Sequence, residues 1–377
     1  MIRGAGRRVC PFFWTTGRGS EGTTLRILIL PGDGIGPEIC DATQAVLERL
    51  RGACALDLAF EREDIGLASL MRSGTTLPQD VIDRTREVDG VILGPVSHYD
   101  SPPRAEGGLN PSAELRVRLD LFANIRPCRT REGIPAVGKP MDLVIVRENT
   151  EGFYADRNMA AGSGEFMPEP DIALAIRKIT AKGSTRIAEA AFDLARGRRR
   201  KVTAVHKANV LKLSDGLFLA KVREVASRYP DVELDEVIVD AAAALLIRSP
   251  ARFDVIVTTN MFGDILSDEA SELTGSLGLG GAINAGSDHC VAQAQHGSAP
   301  DIAGQGVANP ASLILSAGML LNWLGRRHRR ADLCEAAARL SRAVDAALLE
   351  PATRTRDVGG SVGTTGFAAA VCEAIDG

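Results

Sequence analysis

Short apolar runs that end in polar or glycine-rich turns recur along the chain, and helical stretches follow most of them. The runs at residues 25–30, 201–206 and 253–257 are mainly aliphatic, which is typical of buried strands. Further strands are predicted at residues 90–95 and 236–239, and helices from the first turn to about Arg51 and at residues 311–324, 331–349 and 367–375. Strands that alternate with helices predict an α/β fold.

The first turn, residues 31–38, reads Pro-Gly-Asp-Gly-Ile-Gly-Pro-Glu. Its glycines are spaced GxGxG, and Pro37 occupies the next place. A standard dinucleotide-binding turn has the spacing GxGxxG, which brings the backbone close to the pyrophosphate. The spacing therefore argues against a standard Rossmann fold.

A second informative turn follows the run at residues 253–257. A helix that begins near Gly263 would place Asp264 and Asp268 four residues apart on one face, with their Cβ atoms about 6 Å apart. Two carboxylates at that separation can share one divalent cation. The alternative is that Asp264 caps the helix and that Asp268 is a solvated surface residue.

Charged residues stand close to other predicted element ends. Arg116, Arg126 and Arg147 could hold a polycarboxylic acid, because arginine contacts carboxylates in two-point fashion. Lys207 directly follows a strand and is suited to proton transfer, and Asp240 follows another strand. The alternatives are surface salt bridges for the arginines, a surface charge for Lys207 and an N-cap for Asp240.

Two later loops, at residues 275–286 and 296–304, are rich in glycine and small residues. Such loops can offer backbone N–H groups to phosphates, and they can equally be plain surface loops.

Composition narrows the classes of partner. The chain has 377 residues and a formal net charge of −4, with acidic and basic residues interspersed. This excludes the basic surface that nucleic acid requires and a polybasic membrane patch, so small molecules or a second copy of the chain are the expected partners. The run at residues 313–324 is too short to cross a bilayer.

The seven cysteines show no CxxC spacing, which favours a reducing compartment, and the predicted location is the cytoplasm. Residues 1–24 are basic and contain one acidic residue, Glu21. We expect them to form a disordered extension. The alternative is a transit peptide, which would place the protein in the mitochondrial matrix.

Six stretches occur in one order, at residues 33–38, 116–127, 147–154, 205–209, 260–268 and 296–309. Together they resemble the metal-dependent β-decarboxylating dehydrogenases of the isocitrate and 3-isopropylmalate type, and the resemblance extends from Leu25 to Gly377. It implies an isocitrate/isopropylmalate dehydrogenase-like fold with two domains. A large cofactor-binding domain would comprise residues 25–121 and 275–377, and a central substrate and dimerisation domain would comprise residues 122–274.

The resemblance also implies a homodimer with shared active sites, in which Lys207 and Asp240 act from the neighbouring subunit. Asp240, Asp264 and Asp268 would hold Mg²⁺ or Mn²⁺ against the substrate's 2-hydroxyl and a carboxylate. Lys207 would take the hydroxyl proton, and Tyr154 would supply a proton to the enol after CO₂ is lost. The implied substrate-binding residues are Asn110, Ser112, Arg116, Arg126 and Arg147.

The implied cofactor is NAD. Asp301 can accept hydrogen bonds from the ribose hydroxyls and would repel a 2′-phosphate, although it could instead cap a helix. The residues implied to bind the cofactor are Asn209, Gln293, His296, Gly297, Ser298, Ala299, Pro300, Asp301, Ile302, Asn309 and Asp357.

Two departures from the family pattern affect the substrate and cofactor sites. Asn110 and Ser112 stand where the family contacts the substrate's γ-substituent, in the reverse of the usual serine-then-asparagine order, and Gln293 stands where many members carry glutamate. The polar pair favours a polar or carboxylate γ-group over an isopropyl group. Isocitrate and 3-isopropylmalate are the leading substrate types, with homoisocitrate, tartrate and malate as alternatives.

Two other functional classes are weighed against this enzyme. A catalytically silent regulatory subunit of a hetero-oligomeric isocitrate dehydrogenase is disfavoured, because Tyr154, Lys207 and all three aspartates are present. A generic Rossmann oxidoreductase is disfavoured by the glycine spacing.

Overall fold

The structure, a computed structural model of the single chain, describes residues 24–97, 100–154, 158–159 and 162–377. The strands within these ranges are β1 (Leu25–Leu30), β2 (Leu58–Arg62), β3 (Gly90–Leu93), β4 (Ala123–Arg129), β5 (Asp142–Glu148), β6 (Glu165–Glu169), β7 (Ile172–Ala175), β8 (Lys201–His206), β9 (Glu233–Ile238), β10 (Val255–Thr258), β11 (Ile283–Ala285) and β12 (Cys290–Gln293). The helices are α1 (Gly36–Ala53), α2 (Gly66–Ser73), α3 (Gln79–Glu87), α4 (Pro111–Arg118), α5 (Ala181–Arg196), α6 (Ser214–Ala226), α7 (Val239–Arg248), α8 (Asn260–Leu273), α9 (Ala311–Arg327), α10 (Ala331–Leu349) and α11 (Thr364–Asp376).

The predicted α/β class is confirmed, and each predicted strand and helix has a counterpart in the structure. Except for Thr24, the predicted disordered extension lies outside the described residues. Within the described ranges, no helix is both long enough and apolar enough to cross a membrane.

Two predicted boundaries near the candidate site were wrong. Helix α8 begins at Asn260, three residues before the predicted start, because the N–H of Gly263 already donates to the Thr259 carbonyl at 2.9 Å. Glycine has low helix propensity and therefore suggested a helix end rather than an interior position. Asp240 lies in the first turn of α7, whose N-cap is Ile238, so the N-cap alternative is wrong as well.

The central unit of the chain, Asp142–Leu266, is built on four parallel strands in the order β5, β10, β8, β9. The middle residues of β5, β8 and β10 are fully buried, as Ile145, Ala204 and Ile256 show. Parallel strands covered on both faces are nearly continuously apolar, which explains why periodicity located them. The hairpin β6–β7 in this unit is different, since all of its residues are exposed.

The terminal unit contains residues 24–141 and Ser267–Gly377. Its strands follow the order β2, β1, β3, β12, β11, β4, and β11 runs antiparallel to both neighbours. Helix α9 packs on β12 and α10, and α1 packs on α11. Leu320 and Leu324 of α9 are fully buried, so this apolar helix lies in the core of the unit.

The two units divide at different residues from the predicted domains. The central unit begins at Asp142 and ends at Leu266, whereas the prediction was 122–274, so β4 belongs to the terminal unit. Strand β4 pairs with β11 of the same unit, which accounts for this difference. The cofactor and substrate roles assigned to the two domains stay predictions.

The turn at residues 31–38 organises neighbouring loops of the terminal unit. The buried Asp33 carboxylate accepts hydrogen bonds from the N–H groups of Leu67, at 2.7 Å, and Ser97, at 2.9 Å. Gly34 adopts a φ of +60°, and a Cβ there would lie 2.0 Å from the Ser298 carbonyl oxygen. The glycines therefore allow close packing between loops.

Candidate active site

The buried guanidinium of Arg147 forms the centre of a polar cluster in the central unit. Arg147 lies near the end of β5, and its side chain is 2% exposed. It donates from Nε and Nη2 to Asn260 Oδ1, at 3.0 and 2.6 Å, and from Nη1 to Asp264. The parallel pairing of β5 with β10, whose end leads into α8, places these groups together.

Glycine at position 263 makes this arrangement possible. A Cβ there would lie 2.7 Å from both Cβ and Cγ of Arg147, and real Cβ atoms do not approach so closely. The Arg147 side chain therefore lies directly against the α8 backbone. The structure thus gives Gly263 a packing role in the helix interior.

Tyr154 joins the same cluster. Its hydroxyl donates to Asp264, and its ring centroid lies 5.4 Å from the Arg147 guanidinium carbon. Asp264 therefore receives hydrogen bonds from both Arg147 and Tyr154. Three of the predicted residues, one each for substrate binding, catalysis and metal binding, are in direct contact.

Asp268 has a similar partner in the terminal unit. Arg126, in the middle of β4, donates from Nη1 to Asp268 at 3.0 Å and to Ser267 at 2.7 Å. The Arg126 side chain is 8% exposed and that of Asp268 is 48% exposed. A second predicted arginine is thus paired with a second predicted metal ligand.

Lys207 and Asp240 form a third pair, in the central unit. The pairing of β8 with β9 places the residues after the two strands side by side, and Lys207 Nζ donates to Asp240. This hydrogen bond lowers the pKa of the Asp240 carboxyl below its ordinary value. The prediction that the pair acts on the site of a neighbouring subunit stays a prediction.

The donor atoms fit a hard divalent cation. Asp264, Asp268 and Asp240 offer carboxylate oxygens, the ligands that Mg²⁺ and Mn²⁺ prefer, and their side chains are 30, 48 and 61% exposed. Asp264 and Asp268 are one turn apart on α8. Across the described residues no three acidic, histidine or cysteine side chains of one chain come together as a metal site.

Asn110 and Ser112, the residues predicted to contact the substrate's γ-substituent, lie among other polar side chains in the terminal unit. Asn110 caps α4, accepting the Ala113 N–H at 3.1 Å, and the Ser112 hydroxyl donates to Gln293 Oε1 at 3.0 Å. Asn284 also donates to Gln293 Oε1, at 3.2 Å. Gln293, which is predicted to lie beside the nicotinamide ribose, is therefore bonded to Ser112, a predicted substrate-binding residue. Arg116 lies in the last turn of α4.

A pocket of about 440 Å³ in the terminal unit contains six of the predicted cofactor residues. They are His296, Gly297, Ala299, Ile302, Asn309 and Asp357. Asn309 Nδ2 donates to Asp357 at 2.9 Å, so these two residues hold each other in place.

His296 carries a buried ring nitrogen in this pocket. Its Nδ1 lies 3.0 Å from the Gly297 carbonyl oxygen, and Nε2 is buried without a hydrogen-bond partner in the described part of the chain. Burial lowers the pKa of the imidazole below its ordinary value, which favours the neutral ring. A neutral ring whose Nδ1 donates presents Nε2 as an acceptor, which fits an exocyclic amine such as that of adenine.

Other predicted cofactor residues do not line this pocket. Asp301 is exposed within a single helical turn, Pro300–Ile302, for which Ala299 and not Asp301 is the N-cap. Ser298 is buried and bonded to Ser97 at 2.9 Å, and Asn209 is exposed in the central unit.

Sequence reasoning missed several side chains of these sites. Arg356 and Gln305 line the 440 Å³ pocket, and Asn260 binds Arg147 in the central unit. Asn260 follows a buried strand, which was an available signal. Arg356 directly precedes Asp357, which was predicted to bind the cofactor, but an arginine at this position gave no signal of its own in the sequence.

The fold and these carboxylate–arginine clusters define an α/β enzyme suited to acidic substrates, and comparison with known proteins specifies the class. The family model for isocitrate/isopropylmalate dehydrogenase matches residues 26–375. The isocitrate/homoisocitrate dehydrogenase of Thermus thermophilus is 44% identical over 352 residues, covering 93% of this chain and 98% of that protein. The 3-isopropylmalate dehydrogenase of Archaeoglobus fulgidus is 40% identical, covering 93 and 99%.

A solved structure agrees with these matches. The isocitrate dehydrogenase from Methylococcus capsulatus superposes with a TM-score of 0.83 at 40% identity, covering 94% of this chain and all of that one. The chain belongs to the isocitrate/isopropylmalate dehydrogenase family. It is a decarboxylating dehydrogenase that acts on a hydroxy acid, which confirms the predicted reaction class.

The role of Gly263 can be tested by substitution. Gly263→Ala should displace Arg147 and lower kcat/KM for the hydroxy acid at least about tenfold, because one misplaced charge-assisted contact is worth about 1.5–3 kcal/mol. The measurement is steady-state kinetics together with the melting temperature.

Gly52→Ala is the matched control for this substitution. Gly52 lies in α1, and apart from its chain neighbours and the local helix backbone no atom of the described residues comes within 4 Å of an added Cβ. Alanine should therefore stabilise the helix by about 0.5–1 kcal/mol and leave kinetics unchanged. Unchanged kcat/KM in Gly263→Ala would contradict the packing role.

Proposed function

We propose that the chain catalyses NAD-linked oxidative decarboxylation of a 2-hydroxy di- or tricarboxylic acid with the help of Mg²⁺ or Mn²⁺. The observation that carries the proposal is the cluster in which Asp264 accepts hydrogen bonds from Arg147 and Tyr154. It combines a carboxylate-binding arginine, a proton donor and a metal ligand within one group of contacts. The family membership supports the same chemistry.

The arginines bind and orient the substrate. Arg126 and Arg147 are nearly buried, so their guanidinium groups need anionic partners, which Asp268 and Asp264 provide here. A substrate carboxylate can take over part of that role, with two-point geometry that fixes its orientation. Proximity and orientation of this kind supply a large part of many enzymatic rate increases.

A divalent cation held by Asp264, Asp268 and a partner subunit's aspartate would act as a Lewis acid on the hydroxyl and carbonyl oxygens, and bound NAD would accept the hydride. Lys207 accepts the proton from the 2-hydroxyl. Its bond to Asp240 holds the Lys207 side chain in place between turnovers. Tyr154 donates its hydroxyl proton to the carbon that loses CO₂.

We infer that the active enzyme is a homodimer. Large apolar side chains are exposed in the central unit, among them Met167 of the hairpin at 62%, Val210 at 64% and Leu213 at 90%. Exposed apolar surface of this kind marks association sites. Val210 and Leu213 follow Lys207 closely in the chain, which supports a shared site.

The polar residues at the specificity position support a substrate with a polar or carboxylate γ-group. Ser112 donates to Gln293, and Asn110 caps α4, so an isopropyl group would lie against polar rather than apolar side chains. If it displaced one of these partners, the polar group left unpaired would cost about 1–3 kcal/mol. Isocitrate or homoisocitrate is therefore preferred over 3-isopropylmalate.

A panel of substrates tests the function directly. The purified chain, assayed with isocitrate, homoisocitrate, 3-isopropylmalate, tartrate and malate, should reduce NAD only with added Mg²⁺ or Mn²⁺. The kcat/KM for isocitrate or homoisocitrate should exceed that for 3-isopropylmalate at least about tenfold, the equivalent of about 1.4 kcal/mol.

Three outcomes of the panel would overturn parts of the proposal. Full activity after metal removal with EDTA would indicate a metal-independent oxidoreductase. A higher kcat/KM for 3-isopropylmalate would reverse the substrate order. Inactivity of the folded chain with all five acids would favour a regulatory subunit.

The cofactor proposal rests on Asp301. It lies between Ala299 and Ile302, which line the 440 Å³ pocket, and a carboxylate there repels a 2′-phosphate. Like charges about 4 Å apart cost about 4 kcal/mol at an effective dielectric of 20. Arg356 lines the same pocket and would attract a phosphate, so the two residues oppose each other.

In this proposal the effect of the Asp301 carboxylate outweighs that of Arg356. We expect NAD to be preferred at least about 100-fold in kcat/KM, and Asp301→Lys combined with Ile302→Tyr to raise kcat/KM for NADP at least about tenfold. Arg356→Gln serves as the control and should lower NADP use without lowering NAD use. Comparable kcat/KM for both cofactors in the unaltered enzyme would mean that Asp301 does not face the ribose.

A further inference from the structure

A buried ion pair in the central unit takes no part in the chemistry proposed above. The side chains of Arg177 and Asp215 are 7 and 0% exposed, and Arg177 Nη1 donates to Asp215. Removing two charges from water is expensive, and apolar residues of similar size often stabilise a fold equally well. The pair therefore calls for an explanation other than general stability.

Arg177 contacts two segments that carry candidate active-site residues. Its Nη2 donates to Thr259 Oγ1 at 3.1 Å, and its guanidinium carbon lies 5.4 Å from the ring centroid of Phe262. Thr259 directly precedes α8, and Phe262 lies in the first turn of that helix, two residues before Asp264. On another side the guanidinium carbon lies 5.2 Å from the Phe153 ring centroid, and Tyr154 is the next residue.

Asp215 contacts a third such segment. Its Oδ2 accepts the backbone N–H of Lys207 at 2.6 Å, while Oδ1 accepts from Arg177. Asp215 lies in the first turn of α6, a regular element, whereas Lys207 lies in the turn after β8. One carboxylate thus fixes the backbone of the candidate proton acceptor relative to a helix.

We propose that Arg177 and Asp215 are positioning residues that hold the Lys207 turn, the Tyr154 loop and the start of α8 in place for catalysis. In the proposed dimer the Lys207 turn serves the neighbouring subunit's site, and the other two segments serve the subunit's own site. The inference rests on the proposed function, since it assigns proton transfer to Lys207 and Tyr154. Displacement of a reacting group by about 1 Å can lower a rate about 100-fold. A substitution that loosens the pair should therefore lower kcat and leave ground-state binding nearly intact.

Asp215→Asn is the principal test. Asparagine has the same size but places an NH₂ group against either the Arg177 guanidinium or the Lys207 N–H, so one of the two bonds is lost. We expect kcat to fall at least tenfold, while KM for the hydroxy acid and for the cofactor changes less than threefold. The melting temperature should also fall, since Arg177 loses its counter-charge.

Asp254→Asn is a matched control from the same unit. Asp254 is 1% exposed and accepts from Arg198 Nε at 2.8 Å and from the Arg199 N–H at 2.7 Å. Asp254 directly precedes β10, whereas Thr259 directly follows that strand. Asp254→Asn therefore breaks a similar ion pair at the end of β10 that lies away from Thr259. The melting temperature of this variant should fall, and its kcat should stay within twofold of that of the unaltered enzyme.

The outcomes separate the inference from the proposed function. Equal losses of melting temperature with unchanged kcat in both variants would show that the Arg177–Asp215 pair is structural and would overturn the inference. If Asp215→Asn does not fold, Arg177→Lys provides the test, because it keeps the charge and shortens the reach to Thr259. It should lower kcat in the same way, and full kcat in that variant would overturn the inference.

Lys207→Met is the reference variant. Full kcat in Lys207→Met would contradict the proposed proton transfer itself, whatever Asp215→Asn does. Loss of activity in Lys207→Met together with full kcat in Asp215→Asn would overturn the positioning inference alone.

Discussion

A guanidinium group that is removed from water must be neutralised, and the burial of Arg147 imposes this constraint on the centre of the candidate active site. Its side chain is 2% exposed and lies against the α8 backbone at Gly263. Asn260 and Asp264 must therefore face β5, and Tyr154 completes the group through its bond to Asp264. Removal of Asp264 would leave the buried guanidinium without its counter-charge, which is destabilising.

Arginine–aspartate pairing recurs in this protein with different consequences. Arg126 and Asp268 repeat the relation of Arg147 and Asp264 one helical turn further along α8. In both pairs the arginine is nearly buried and the carboxylate is partly exposed, which leaves the carboxylate accessible to a cation. Where both partners are buried, as in Arg177–Asp215, the pair can only act on neighbouring protein segments.

Much of the fold could be predicted because its strands and helices carry local signals. The run Leu25–Leu30 and the helix Ala331–Leu349 have the predicted bounds. The start of α8 was misplaced because Gly263 is required by contact with Arg147, which is distant in the chain and leaves no local pattern. The discontinuous terminal unit has no local signature either, and only the family resemblance indicated it.

The candidate site likewise contains residues that the sequence could predict and partners that it could not. Residue type and position at strand ends were enough to select Arg147, Lys207 and Asp264. They could not show that Ser112 bonds Gln293 across 181 positions, or that Asp215 holds the Lys207 backbone. Such partners are set by tertiary packing, and side chains of the same type elsewhere in the chain form ordinary surface ion pairs.

The central claim is that Asp264 and Asp268 bind a divalent cation, and that a substrate carboxylate replaces them as the hydrogen-bond acceptor of Arg147 and Arg126. Titration of the purified protein with Mn²⁺, followed by the electron paramagnetic resonance signal of the hydrated ion, tests this without turnover. The account predicts that isocitrate, in the absence of NAD, tightens Mn²⁺ binding, and that Asp264→Asn weakens it at least tenfold while the exposed-site control Asp231→Asn does not. Equal Mn²⁺ affinity in the unaltered protein and in Asp264→Asn, with or without the hydroxy acid, would contradict the account.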